Sequence, residues 1–277
     1  MTILDLFSGI GGFSLGFESA NFKNYDFKKL PEEQTDKSDN FFKTVAFCEI
    51  DENCRKVLRK HYPNTPIFKD VKDLNGLKGV DIITGGFPCQ DLSVAGKHKG
   101  LEGSRSGLFY EMCRIIKECK PKYILFENTP ELIRNKTYHK LFAKELGICG
   151  YEYRAFLLRA DAFGYAHKRQ RAYIIAYSSK KRFADTEKIF DFLPNEKQRA
   201  EIKTPKEIIS VCNRYIWRKK NGYKNDLRDI RNDDGFSENV ERIGMLGNAV
   251  IPKIVSCFAK YIKETKIYGD KKWISYL

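Results

Sequence analysis

At 277 residues, with 42% hydrophobic and 13% aromatic residues, the chain can bury a large core and has room for a main domain with a smaller one beside it. No apolar run is long enough to cross a bilayer, and Met1-Thr2-Ile3-Leu4 enters a strand with no basic leader, so membrane and secreted classes are set aside and a cytoplasmic protein is expected. A formal charge of +14 points to an anionic partner such as nucleic acid, against the plainer alternative of a Lys-rich surface. The eight cysteines are scattered, with no CxxC pair and no Cys/His cluster of zinc spacing. They read as reduced thiols, most of them core filler, with no metal site.

Thr2-Ile3-Leu4-Asp5-Leu6-Phe7 predicts a short strand that runs into Ser8-Gly9-Ile10-Gly11-Gly12-Phe13-Ser14 and then a helical pattern through Phe13, Leu15, Gly16 and Phe17. Strand, glycine turn and helix open a nucleotide-type α/β fold, in which the turn lets backbone approach a bulky ligand at the helix N-terminus. The spacing is not the full dinucleotide fingerprint, and a tight turn without a ligand stays open. Asn21 to Lys43, polar and aperiodic, reads as a surface insertion. Thr44 to Glu49 predicts a second strand whose terminal carboxylate suits the two hydroxyls of a ribose. Its other possible role, capping the helix Glu52 to His61, falls better to Asp51. Pro66-Ile67-Phe68 leads to Asp70-Val71, where the carboxylate is either near an adenine or a solvated turn aspartate.

Val80 to Thr84 predicts a fourth strand that delivers Gly85-Gly86-Phe87-Pro88-Cys89-Gln90. A cysteine after proline at the mouth of a buried strand is a candidate nucleophile, although a thiol there is more often a small buried hydrophobe. The loop Asp91 to Gly107, rich in Gly, Ser, Lys and Arg, could lie against phosphates. A helix is predicted from Ser106 to Cys119, and a fifth strand, Lys122 to Phe126, again ends in a carboxylate at Glu127-Asn128-Thr129-Pro130. A helix around Tyr138 to Leu146 follows, then a strand Tyr151 to Leu158, and Asp161 to Arg171 feeds a strand Ala172 to Tyr177. Carboxylates and a cysteine thus recur at strand C-termini, where open α/β sheets bind their ligands.

Beyond Ser178 the pattern changes. Basic runs alternate with Phe183, Phe190, Phe192, Tyr215, Trp217 and Tyr223, as in a small nucleic-acid module or an ordinary charged surface around a mini-core. Arg242 to Pro252 and an amphipathic helix from Lys253 to about Lys263 close the chain. The expected architecture is a Rossmann-like α/β sheet with helices on both faces, built from residues 1–177 plus 244–277, with a small domain at 178–243.

In this order the pieces closely resemble the DNA (cytosine-5)-methyltransferase family from Ile3 to Lys263, apart from the insertion and the variable segment after Tyr177. The resemblance rests on Asp5-Leu6-Phe7-Ser8-Gly9-Ile10-Gly11-Gly12-Phe13, on Gly86-Phe87-Pro88-Cys89-Gln90 with Ser93, Gly96, Lys97, Gly100 and Ser104-Arg105, and on Glu127-Asn128-Thr129. Arg169-Gln170-Arg171 and Leu246-Gly247-Asn248-Ala249-Val250 complete it. Three departures stand out: Thr129 where Val is usual, Ala166-His167 in place of Pro-Gln, and a short Ser178 to Asp229 segment where the family carries target recognition.

The resemblance implies an S-adenosylmethionine-dependent enzyme, releasing S-adenosylhomocysteine, that methylates C5 of a cytosine rotated out of double-stranded DNA. Cys89 would add to C6, with Pro88 fixing its backbone; Glu127 would share a proton at N3, and Arg171 would hold Glu127 and the cytosine O2, with Arg169 supporting the same loop or a phosphate. Phe7, Ser8, Gly9, Gly11 and Gly12 would line the methionine and ribose portion of the cofactor, and Glu49 would take its ribose. Ile50, Asp70 and Val71 would meet the adenine, and Gly86, Asn248 and Ala249 would close the methionine end. Gln90, Ser93, Lys97, Arg105 and His167 would contact DNA. The family also implies a monomer, at the bacterial nucleoid, functionally paired with a restriction endonuclease. Two other readings stay open: a tRNA-methylating enzyme, although its Cys-Phe-Thr element is absent, and a catalytically silent DNA-binding homologue, against which intact Cys89, Glu127 and Arg171 argue.

Overall fold

The computed structural model describes residues 1–27, 33–88, 107–165, 168–178 and 249–268. Cys89, the loop through Arg105, Ala166-His167, the whole of the 178–243 module beyond Ser178, and Asn248 therefore lie outside the described residues.

Side chains alternate across a strand, and here both sets are apolar. In β1 (Thr2–Leu6) Ile3 packs on one face of the sheet while Leu4 and Leu6 pack on the other. Ile82 and Ile83 of β4 (Ile82–Gly85) divide the same way, as do Ile124 and Leu125 of β5 (Tyr123–Asn128). Strands buried on both sides need helices on both sides, and two amphipathic sets supply them. One face carries α1 (Gly12–Ser19) through Phe13 and Phe17, and α6 (Pro252–Tyr268) through Ile254, Val255 and Phe258. The other carries α3 (Gly107–Cys119) through Phe109, Met112 and Ile116, α4 (Glu131–Arg134) through Leu132, and α5 (Lys136–Ile148) through Phe142 and Leu146. The helix α2 (Glu52–His61) is capped as expected: the Asp51 carboxylate accepts from the amides of Asn53 at 2.8 Å and Cys54 at 2.9 Å.

With β2 (Lys43–Cys48), β3 (Ile67–Phe68), β6 (Tyr151–Arg159) and β7 (Gln170–Ser178), the strands form a single sheet in the order β3-β2-β1-β4-β5-β7-β6. The first five are mutually parallel, so their C-terminal ends share one edge. β7 enters antiparallel to β5, pairing Glu127 with Tyr173 and Asn128 with Ala172. Its N-terminus therefore reaches the edge that the other strands leave from. This reversal brings the Arg169-Gln170-Arg171 segment to the end of β5.

All seven predicted strands are present. The differences lie at boundaries and in two places the pattern did not disclose: the one-turn α4 after Pro130, and the run of α6 to Tyr268. The insertion read as surface is anchored at its ends. Phe42 is buried edge-on against Phe17 at 5.2 Å, and buried Asn21 exchanges two hydrogen bonds with the Phe42 backbone at 2.8 and 2.9 Å. An isolated aromatic pair at the end of a polar stretch carries no period, so its burial was not legible.

The contact between α1 and α6 depends on two glycines. A Cβ on Gly12 would stand 2.5 Å from the Val250 carbonyl oxygen, and one on Gly16 would stand 2.4 Å from Val255 Cβ and 2.7 Å from the Pro252 carbonyl. Backbone and β-carbons cannot step aside as a flexible side chain can. Gly16→Ala is therefore expected to lower stability by about 1–3 kcal/mol or more, in spite of alanine's better helix propensity. A urea midpoint at or above wild type would show that the helices separate freely.

Candidate active site

β1 ends in a turn whose backbone is held open. Phe7 and Gly9 adopt left-handed φ values of 52° and 53°, and Ser8 is pinned by its hydroxyl to the Asp5 carbonyl at 2.6 Å and by its amide to the Cys48 carbonyl at 3.1 Å. The turn is tied to the end of β2 by Glu49, whose carboxylate accepts from the Gly9 amide at 2.7 Å and the Asp51 amide at 2.9 Å. Arg55 holds the carbonyls of Glu49 (2.8 Å) and Ile50 (2.6 Å), which sets the path of that loop. Ile50 is left 66% exposed.

These elements wall a cleft of about 600 Å³ at the C-terminal edge of the sheet. Phe7, Ser8, Gly9, Glu49, Ile50, Asp70, Val71, Gly86 and Ala249 all line it, joined by Pro88, Leu108 and Val250. A Cβ on Gly9 would meet nothing within 4 Å. Gly11 and Gly12, expected beside Gly9, do not line the cleft. Gly11, with φ 85°, faces Leu58, Tyr62 and Phe47, and Gly12 faces Val250. Their lack of a side chain serves helix packing, which a glycine-rich motif does not distinguish from ligand contact.

The second part of the site is Glu127, at the end of β5 and 8% exposed. Arg169 donates to its Oε1 at 3.3 Å and Arg171 Nε stands 3.2 Å from the same atom. Burial pushes this carboxyl above the usual carboxylate range, while the two guanidinium groups pull it down. Arg169 also donates to the Ala249 carbonyl at 2.8 Å, so one side chain touches both the cleft wall and Glu127. Gly86 completes the junction: a Cβ there would come within 3.3 Å of the Glu127 carbonyl and 3.5 Å of its Oε2. Asn128, which the motif carried without an assigned role, donates to the Phe87 carbonyl at 2.9 Å and fixes the backbone just before Pro88. Cys89 follows directly. Like Gln90, Ser93, Lys97, Arg105, His167 and Asn248, it lies outside the described residues.

Asp5, which opens the motif Asp5 to Phe13, is fully buried in β1. The one visible signal was a carboxylate inside an apolar strand. Burial pushes it up to about 7 against hydrogen bonds from Ser14 and Thr84. A folded-state value above the unfolded one means that the native protein binds the proton more tightly. This stabilisation is complete below about pH 4 and is lost as pH rises toward the folded value, a change on the order of 4 kcal/mol. Asp5→Asn, neutral at every pH, is expected to flatten the fall of the urea midpoint over that window. Equal slopes in variant and wild type would show that Asp5 does not titrate there.

An α/β sheet of this order, with a ligand-sized cleft beside a buried Glu–Arg–Arg cluster, has clear relatives. The profile of the C-5 cytosine-specific DNA methylases matches residues 1–241, and the chain belongs to that family. Type II methyltransferase M1.ScrFI of Lactococcus lactis is 35% identical over 182 residues, covering 64% of this chain and 42% of that protein. M.FnuDI of Fusobacterium nucleatum is 31% identical over 207 residues, covering 73% of this chain and 54% of that protein. The chain thus spans about half the length of the curated relatives it matches. Among solved structures, the S. pombe Dnmt2 methyltransferase shares the fold at a TM-score of 0.55 and 21% identity, over 73% of this chain and 58% of that one. The Entamoeba histolytica methyltransferase EhMeth does so at 0.58 and 16%, over 98% and 99%. Among the described residues no helix is long and apolar enough to cross a membrane.

Proposed function

We propose that the chain is an S-adenosylmethionine-dependent DNA cytosine-5 methyltransferase of the restriction-modification type. The observation that carries this reading is the buried Glu127 carboxyl on Arg169 and Arg171, set against Gly86 at the wall of the cleft and three residues before Cys89 in chain order.

The cleft residues suit the cofactor. Its volume falls within the usual range for small-molecule sites. Glu49, with two backbone bonds made, keeps acceptor capacity for a ribose diol. The exposed Ile50 offers an apolar surface to a flat ring, Asp70 an acceptor for an exocyclic amine, and open Gly9 admits backbone contact. Bound there, S-adenosylmethionine supplies an electrophilic sulfonium methyl group. The chemistry left to the protein is to make C5 of cytosine nucleophilic. Cys89, as thiolate, adds to C6 of a base rotated out of the duplex, and the ring becomes electron-rich at C5. Glu127, whose proton is held above the ordinary carboxylate range, shares it with N3 as charge builds there. Arg171 holds Glu127 and the C2 carbonyl. Loss of the C5 proton then expels Cys89.

In this reading residues 178–243 form the target-recognition module, residues 1–177 with 244–277 form the catalytic domain, and Gln90, Ser93, Lys97, Arg105 and His167 meet DNA. The enzyme acts as a cytoplasmic, nucleoid-associated monomer paired with a restriction endonuclease. A duplex containing 5-fluorocytosine, incubated with cofactor, is expected to trap a covalent adduct that Cys89→Ser does not form. Bisulfite sequencing of DNA from expressing cells then gives the site. Folded wild-type protein that forms no adduct on any duplex overturns the proposal, and transfer to total tRNA in place of DNA redirects it to RNA.

A further inference from the structure

Asp5 is an expensive residue for its position. It lies between Leu4 and Leu6 in the buried part of β1, where an apolar side chain would satisfy the sheet. Its two oxygens are divided between two elements. Oδ2 accepts from the Ser14 hydroxyl at 2.8 Å and the Ser14 amide at 3.3 Å, and Oδ1 accepts from the Thr84 hydroxyl at 2.8 Å. Both partners are themselves completely buried, so no solvent replaces a lost bond.

Each element adjoins a stretch that lines the cleft: α1 follows the turn through Phe7, Ser8 and Gly9, and β4 runs into Gly86. Ser14 is in the first turn of α1, directly after the turn that presents Phe7, Ser8 and Gly9. That helix has no side-chain cap of its own, because Gly11 stands at the capping position, and the Asp5 carboxylate serves the orphan Ser14 amide from the neighbouring strand. Thr84 pairs with Asp5 across the β1–β4 ladder and lies two residues before Gly86 and five before Cys89. We infer that Asp5 is a positioning residue for methyl transfer, holding the turn before α1 through Ser14 and the strand that leads to Gly86 through Thr84 in one fixed register. This rests on the proposed function, which assigns the turn before α1 to the cofactor and the segment after β4 to the nucleophile.

The two contacts can be cut separately. Ser14→Ala is expected to raise KM for S-adenosylmethionine about tenfold with kcat within about twofold of wild type, the cost of one unmade buried hydrogen bond appearing on the cofactor side. Thr84→Val, close in shape, is expected to lower kcat about tenfold with KM nearly unchanged, and Thr84→Ser to restore it. Calorimetry without DNA gives a second measurement: cofactor Kd weakened in Ser14→Ala and unaltered in Thr84→Val. A merely structural role predicts lower melting temperatures in both variants with wild-type KM, kcat and Kd in the folded protein, and that result overturns the inference. Wild-type protein without methyl transfer on any duplex overturns the proposed function instead, and the two failures are told apart by the wild-type control.

Discussion

Glu127→Gln is expected to lower kcat by about 10²–10³-fold with cofactor affinity changed only slightly. The substitution keeps the shape of the side chain and, in the proposed mechanism, removes its ability to hand a proton to N3. Shape matters here because the group is 8% exposed and Gly86 leaves it only a narrow space. A loss of rate in a folded variant therefore reports chemistry and not collapse. The pH dependence gives a second, independent signature. Burial raises the folded-state value of this carboxyl above the ordinary range, with Arg169 and Arg171 opposing it. The protonated form thus persists to higher pH than in an exposed glutamate and is lost as pH climbs through the raised value. Single-turnover rates of the wild type are expected to decline on that alkaline side, and the residual rate of Glu127→Gln to be flat there. A variant that transfers methyl groups at the wild-type rate would remove Glu127 from the mechanism.

Arg169→Ala is expected to have the largest effect on stability of any single change in the site, about 3–5 kcal/mol, together with loss of activity. The side chain is 16% exposed and that of Glu127 10%, so removing it opens a poorly solvated gap beside the carboxyl, with Arg171 left on the same oxygen. It also leaves the Ala249 carbonyl without its 2.8 Å donor and disconnects the cleft wall from Glu127. Arg171 is the natural comparison. It is 27% exposed, stands as close to Glu127, and among the described residues otherwise bonds the carbonyl of the adjacent Gln170. Its loss is expected to cost less stability for a similar loss of rate. Arg169→Lys does not rescue, because a single ammonium cannot reproduce the planar fork that spans two acceptors. Urea denaturation at fixed pH checks the order. If Arg169→Ala and Arg171→Ala unfold at the same midpoint as wild type, the cluster contributes nothing to the fold.

Much of the site was legible because its parts sit where local patterns end. Glu49, Asp70, Gly86 and Glu127 each close an apolar run, and a carboxylate or glycine at such a boundary stands out against the strand before it. The resemblance then ordered them, and the lining of the cleft by Phe7, Ser8, Gly9, Glu49, Ile50, Asp70, Val71, Gly86 and Ala249 follows that order. Glycines were the weak point. Gly9 opens onto the cleft, whereas Gly11 and Gly12 press against Leu58 and Val250, and nothing in their spacing separates the two uses.

The chain's pattern by itself determined the seven strands, the two-faced burial that demands helices on both sides, and the residue types at the strand ends, because burial and backbone preference act over a few residues and leave a period. Only the tertiary structure decided which of these groups meet. Glu127 and Arg169 are 42 residues apart, and Arg169 and Ala249 are 80 apart. They converge because β7 is inserted antiparallel beside β5 and α6 docks on α1 through Gly12 and Gly16. Asp5 shows the same division in one side chain. Its presence in an apolar strand was visible, but its bridge from Ser14 to Thr84 exists only once β1, β4 and α1 have closed around it, since the direction of a strand and the partner of a buried carboxyl are settled by long-range packing that no local period records.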